Sequence, residues 1–325
     1  MVFRRHTSTR LAFLALIVAT GLPMLSCSPN RLSSHEVKLR LPPLPTKLSR
    51  EVLIPARRRY QRVPLVVLLD NGPPVNPNYH KPADERVAEL TAAIRSEGYA
   101  VWRPLRDAWS RDRFQLRPLD ELVSQVRLGL AARRQIPELD TAGVIVVGVG
   151  SGGVVGSVVA ARSRDDVRAL ALISTPARSV DQILASRSWR DSVVTRRLRR
   201  RFDGIWSGAY ADTVLVLGAP ASCWRSWLTV TDEMEALVSG LSQPTLVLQG
   251  SADKMIPLID IERYRRAIGT RPNSSTKTLI GVTHGLKDKL PDPLEDPDRL
   301  SPRVRNSLFN WLRKTAPSPA TPVRR

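Results

Sequence analysis

The sequence predicts an α/β protein: a mostly parallel central sheet with helices on both faces and a helical cap inserted after a middle strand. Three observations carry this. Continuous apolar runs such as residues 63–69 (VPLVVLL) and 143–147 (GVIVV) have the pattern of strands buried on both faces. They alternate with stretches of helical periodicity, as β-α-β crossovers require. One long segment, about 176–242, breaks the alternation and has the length of an insertion.

The elements follow in order. Residues 36–41 and 51–54 are extended candidates separated by Pro42-Pro43-Leu44-Pro45; this proline punctuation excludes a helix and predicts a hairpin leading into the sheet. Residues 82–97 place Val87, Leu90 and Ile94 on one helical face, with Gly98 at the C-terminal cap. A short strand is expected at 99–102, a helix at 120–134, a small-residue helix at 152–162 and a strand at 167–173. Strands at 245–249 and 276–280 bracket a helix at 258–268, and a last helix covers 302–314. The insertion at 176–242 reads as a mostly helical cap over the C-terminal edge of the sheet, and it carries the run Arg196-Arg197-Leu198-Arg199-Arg200-Arg201. The proline-rich stretch 315–325 has little to bury and is expected to be a disordered tail.

This divides the 325 residues into a targeting segment (1–27), a Pro/Arg-rich segment with the hairpin (28–62), the α/β domain (63–314) and the tail (315–325). The formal net charge is +20, from 50 basic against 30 acidic side chains. Such a balance favours anionic partners, here acidic lipid or polysaccharide; no nucleic-acid motif accompanies the charge, and nucleic acid is not expected. The competing reading is a solvated surface in which arginine is simply the commonest charge.

At the N-terminus Arg4, Arg5, His6 and Arg10 precede an apolar run at 11–19, too short to span a bilayer comfortably and shaped like a signal-peptide core. The following Met24-Leu25-Ser26-Cys27 resembles the lipobox of bacterial lipoproteins, although Met24 stands where leucine is usual. The resemblance implies export, acylation of Cys27 and a membrane-anchored domain in the cell envelope. Cys223 is then the one unmodified cysteine, which argues against a disulfide framework and reads as a buried small hydrophobe.

The chemistry-bearing motif is Gly148-Val149-Gly150-Ser151-Gly152-Gly153, between a strand and a helix. A turn this sharp needs small residues, and in the nucleophile elbow G-x-S-x-G it holds a serine at the top of the sheet. Here Gly148 and Gly152 are the flanking glycines, the serine slot is Gly150, and Ser151 stands one place further on. Gly148, Gly150 and Gly153 also satisfy a bare G-x-G-x-x-G, but mid-sheet, and Ser174 rather than an acid ends the next strand. Four histidines and two cysteines are scattered without coordination spacing, so neither a metal nor another cofactor is expected.

With these motifs the chain resembles the α/β-hydrolase superfamily, and within it bacterial esterases of the serine aminopeptidase and dienelactone hydrolase group. The likeness runs from about residue 51 to 314, through PLVVLL, GYAVWR, STPARSVDQIL, PTLVLQGSADKMIP and GVTHG. It implies that Asp253 is the triad acid and His284 the base, in the superfamily order of nucleophile, acid, base. Two departures stand against turnover. Gly150 has no side chain to attack a carbonyl; losing a serine nucleophile costs a factor of about 10⁶. The loop after the first core strand reads Asp70-Asn71-Gly72-Pro73-Pro74, with prolines that lack amide donors and an acid where an oxyanion would form. One missing oxyanion donor costs about 2.7–4 kcal/mol.

Three function classes follow. The first is a degenerate serine hydrolase that binds a small molecule, acyl group or peptide in the former pocket. The second is an active ester hydrolase or peptidase using Ser151, His284 and Asp253, with the turn slipped by one residue and Val149 where a small residue is needed; a variant of it has the Asp/His pair activate water directly. The third is an electrostatic binder of anionic envelope components.

Overall fold

The structure is a computed structural model that describes residues 37–41, 50–55, 61–70, 82–104, 117–187, 192–289 and 299–318. Residues 1–27, where the sequence predicts a targeting segment with Cys27, and Asn71, Gly72, Pro73 and Pro74 of the loop lie outside the described residues.

The strands are β1 (Val37–Arg40), β2 (Glu51–Ile54), β3 (Leu65–Leu69), β4 (Ala100–Trp102), β5 (Val144–Val149), β6 (Val167–Ile173), β7 (Leu215–Val216), β8 (Ala219–Pro220), β9 (Thr245–Gly250) and β10 (Ser275–Leu279). Eight of them form one sheet in the order β1-β2-β4-β3-β5-β6-β9-β10. From β4 to β10 all neighbours are parallel. The expected N-terminal hairpin is present: β1 and β2 pair antiparallel, Val37 opposite Ile54, and β2 joins β4 antiparallel.

Side chains alternate across a strand with period two, and β3 shows the consequence. Leu65, Val67 and Leu69 enter one apolar core, while Val66 and Leu68 enter the other. The first core is covered by α2 (Leu119–Ala132), α3 (Ser151–Arg162), α7 (Met234–Ser239) and α8 (Ile259–Ile268). The second is covered by α1 (Pro82–Ser96) and α9 (Pro302–Thr315). Burial on both faces is why these strands read as continuous apolar runs.

The segment between β6 and β9 holds α4 (Val180–Arg187), α5 (Ser192–Trp206), the β7/β8 hairpin, α6 (Ala221–Asp232) and α7. It has an apolar cluster of its own, in which Phe202 and Trp224 meet edge to face with ring centroids 5.4 Å apart. Cys223 belongs to this cluster, and burial pushes its thiol up to about 12. On α6, Trp227 turns instead into the main core and its indole N–H donates to the Arg117 carbonyl at 2.8 Å. The Leu119 amide donates to Ser226 Oγ at 2.9 Å, so the insertion is fastened to the start of α2. The β7/β8 hairpin was not expected, because its turn places Leu217 at φ 50 and Gly218 at φ 81. Leucine is not a residue whose presence signals positive φ.

The boundary at Thr315 needs correction. Ala316 is buried in the second core and its carbonyl accepts the Tyr99 hydroxyl at 2.9 Å, while Ser318 Oγ donates to the Gly98 carbonyl at 2.7 Å. Proline ends the helix there, but one donor, the Tyr99 hydroxyl, and one acceptor, the Gly98 carbonyl, at the α1–β4 turn hold the chain against the domain.

Candidate active site

The turn from β5 into α3 has its apex at Gly150, at φ 56 and ψ −124. This backbone region is unfavourable for side-chain-bearing residues and natural for glycine. The Gly150 amide donates to the Ile173 carbonyl at 2.8 Å, and its own carbonyl accepts the Gly153 amide at 3.0 Å. Ser151 is the first residue of α3, one residue earlier than expected for that helix, and is half-buried. The neighbouring glycines are required by contact. A Cβ on Gly152 would lie 2.1 Å from the Leu69 carbonyl oxygen, one on Gly148 2.4 Å from Gly153 Cα, and one on Gly153 1.9 Å from Thr175 Oγ1.

Asp253 and His284 stand beyond the ends of β9 and β10. His284 Nδ1 lies 3.0 Å from Asp253 Oδ2. With that nitrogen protonated and donating, the basic nitrogen of the ring is Nε2. The carboxylate is buried and saturated: Gln249 Nε2 donates to Oδ2 at 2.9 Å, and the amides of Met255 and Ile256 donate to Oδ1 at 2.7 and 2.9 Å. Burial alone would raise its pKa, but the hydrogen bond and charge of His284, with the Ile256 and Met255 amides, outweigh it. The carboxyl is held below its ordinary 3.8 and is anionic at neutral pH.

Gln249 is a site residue that sequence reasoning passed over. The available signal was a polar side chain in an otherwise apolar strand; it is 2% exposed, and it ties Asp253 to the Ile256 carbonyl.

Asp70 follows β3 beside the turn from β5 into α3, and its carbonyl oxygen would lie 2.7 Å from a Cβ on Gly152. The negative charge expected at Asp70 has a partner: Arg103, just past β4, forms an ion pair with its carboxylate. Both side chains are largely buried, so the pair is little screened.

Parallel pairing of β5, β6, β9 and β10 brings Gly150, Ser174, Asp253 and His284 to one edge of the sheet, the C-terminal edge. The STPARS segment after β6 is anchored there as well: Asp260 of α8 accepts the Ala177 amide at 2.8 Å and Arg178 Nε at 3.1 Å. A cleft of about 200 Å³ lies elsewhere, between β2, β4 and α1, lined by Glu51, Leu53, Thr91, Arg95, Val101 and Arg103. Among the described residues no group of His, Cys, Asp and Glu is arranged to hold a metal ion, and no helix is long and apolar enough to cross a membrane.

No protein-family profile matches the sequence, and no curated protein does. Solved structures do match in fold. Est1E from Butyrivibrio proteoclasticus is 14% identical with a TM-score of 0.55, over 86% of this chain and 98% of that one. The esterase domain of a Rhodothermus marinus protein is 16% identical with a TM-score of 0.53, over 86% and 98%. Pyrococcus horikoshii acylaminoacyl peptidase is 15% identical with a TM-score of 0.55, over 86% of this chain and 42% of that one. The chain therefore has the α/β-hydrolase fold.

Proposed function

We propose that this chain is a degenerate serine hydrolase: it keeps the acid and base of a catalytic triad, lacks the nucleophile, and binds an acyl, peptidyl or other small ligand at the C-terminal edge of the sheet. The observation that carries this reading is the elbow itself. The apex, in a positive-φ conformation that a side chain would strain, is Gly150, at φ 56 and ψ −124, while Ser151 already lies within α3. A serine one residue into the helix does not have the apex backbone that aims a nucleophile.

The Asp253–His284 pair, 3.0 Å apart, has the relationship of acid to base in a hydrolase. Without an attacking oxygen at residue 150, no acyl-enzyme forms. The imidazole remains a hydrogen-bonding group, and the N-terminus of α3 offers partial positive charge to a carbonyl or carboxylate oxygen. The ion pair of Arg103 with Asp70 supports a site that tolerates an anionic ligand better than a bare Asp70 would. In this reading residues 1–27 direct export and Cys27 carries the lipid, so the domain works at a bacterial cell envelope.

The test is hydrolysis of p-nitrophenyl acetate and butyrate by the chain, by Gly150→Ser and by Ser151→Ala. The chain is expected to remain at the buffer rate. Gly150→Ser is expected to raise the rate by at least about 10²-fold, less than the full worth of a nucleophile because the loop after β3 departs from the family. That gain should vanish when His284→Ala is added. Turnover by the unmodified chain that Ser151→Ala abolishes would show a slipped elbow and overturn the proposal.

A further inference from the structure

Many arginines elsewhere in the fold are paired with carboxylates. Arg133 and Arg134 share Asp166 at 3.0 and 2.9 Å, Arg162 meets Asp120 at 2.6 Å, Arg266 meets Glu235 at 3.1 Å and Arg303 meets Asp288 at 2.8 Å. Arg196, Arg197, Arg199, Arg200 and Arg201 are all exposed and, among the described residues, pair with no carboxylate. The one acid on the helix is Asp203, also exposed and, among the described residues, also without an ion pair.

A solvated helix face normally mixes the two signs. Here Arg196 faces Arg199 and Arg200 at spacings of three and four, and Arg197 faces Arg200 and Arg201 likewise, so neighbouring charges repel. The arrangement is held from behind. Phe202 and Ile205 are buried against Trp224, Leu228 and Val216, which fixes the opposite face of α5 outward. Apolar groups bracket the charges: Val193 heads the row through Arg196, Arg197 and Arg200, and Trp206 lies seven residues after Arg199 on the same side. Val193 is 54% exposed and Trp206 43%.

We propose that this face of α5 docks on an anionic lipid bilayer surface, independently of what the hydrolase-like site does. Fifteen residues of helix make a rod about 22 Å long. Its three consecutive arginines, Arg199 to Arg201, fan over much of the helix circumference, which suits a plane of many phosphates rather than one enclosed anion. The attraction is that of clustered positive charge for an anionic headgroup plane. The exposed tryptophan and valine decide between a membrane and a soluble polyanion, since an indole gains from lying at headgroup depth and gains nothing comparable on a hydrated polymer.

The experiment is sedimentation of the full chain with vesicles of phosphatidylcholine alone and of equal parts phosphatidylcholine and phosphatidylglycerol. Any contribution of the N-terminal apolar run is common to all variants. One variant changes the five α5 arginines to glutamine; a charge-matched control changes Lys277, Lys289, Arg299, Arg305 and Lys314 to glutamine; a third changes the five arginines to lysine. The glutamine variant of α5 is expected to lose at least about tenfold of the affinity that depends on phosphatidylglycerol, with a flatter salt dependence. The control and the lysine variant are expected to keep it. Unchanged binding by the α5 glutamine variant overturns the proposal. So does an equal loss in the control, which would make net charge the cause, or a loss in the lysine variant. Loss of heparin binding with vesicle binding retained overturns it in favour of a soluble polyanion.

Discussion

A Cβ on Gly250 would stand 2.1 Å from the carbonyl oxygen of Val282. The turn that carries Asp253 is thus pressed directly on the turn that carries His284. The Ala252 amide donates to the same Val282 carbonyl at 3.0 Å, and the Gly281 amide donates to Ser251 Oγ at 2.9 Å. The geometry of the Asp253–His284 pair rests on backbone contact as much as on the bond between the two side chains.

Gly250→Ala should therefore force these turns apart. Overpacking against backbone that cannot rotate away costs about 1–3 kcal/mol. Urea unfolding should report that loss, and the His284 imidazole resonances should move with it. Normal stability together with an unshifted His284 would mean that the contact is not what positions the pair.

Asp253 predicts a pH signature. Its carboxyl titrates below its ordinary 3.8 in the folded state, so the charge contributes stability that is fully present above 3.8. That contribution is lost as pH falls through the lower folded value. Asp253→Asn should cost about 1–3 kcal/mol at neutral pH. Thermal melts should show the gap between the two proteins closing on acidification below 3.8. A gap independent of pH would assign the loss to packing rather than charge.

Arg103 should matter more to Asp70 than the reverse. Arg103→Leu leaves a largely buried carboxylate without its cation and should destabilise by about 2–4 kcal/mol. Adding Asp70→Asn should recover much of that, because replacing both partners removes the buried charge. Denaturant titration of the two single variants and the double one measures the coupling. A double variant as unstable as the sum of the singles would show that the two side chains act separately.

Much of the fold was legible because strand burial writes itself into composition. Apolar runs without alternation announced β3 and β5, and regular spacing of Val87, Leu90 and Ile94 announced α1. The glycine turn after β5 was legible for a different reason: the glycines at 148, 152 and 153 are demanded by atoms less than 3 Å away, so the sequence records a steric fact. The hairpin of β7 and β8 left no such mark, since its two-residue strands have no periodicity and its turn uses leucine at φ 50. The partners of polar side chains were equally silent. Gln249 and Asp253 are four residues apart and Arg103 and Asp70 thirty-three, and nothing local tells either pair that it will meet.

The sequence by itself determined the order and kind of the core elements, the glycine turn after β5 and the chemistry available at residues 150, 253 and 284, because period, side-chain volume and functional group are local properties. Only the tertiary structure decided that the positive-φ apex falls on Gly150 rather than Ser151, that Arg103 neutralises Asp70, and that Gln249 and two backbone amides hold Asp253 as an anion. Those outcomes depend on which atoms of separate strands come within hydrogen-bonding reach, and that is set by sheet register and turn geometry rather than by any stretch of sequence alone.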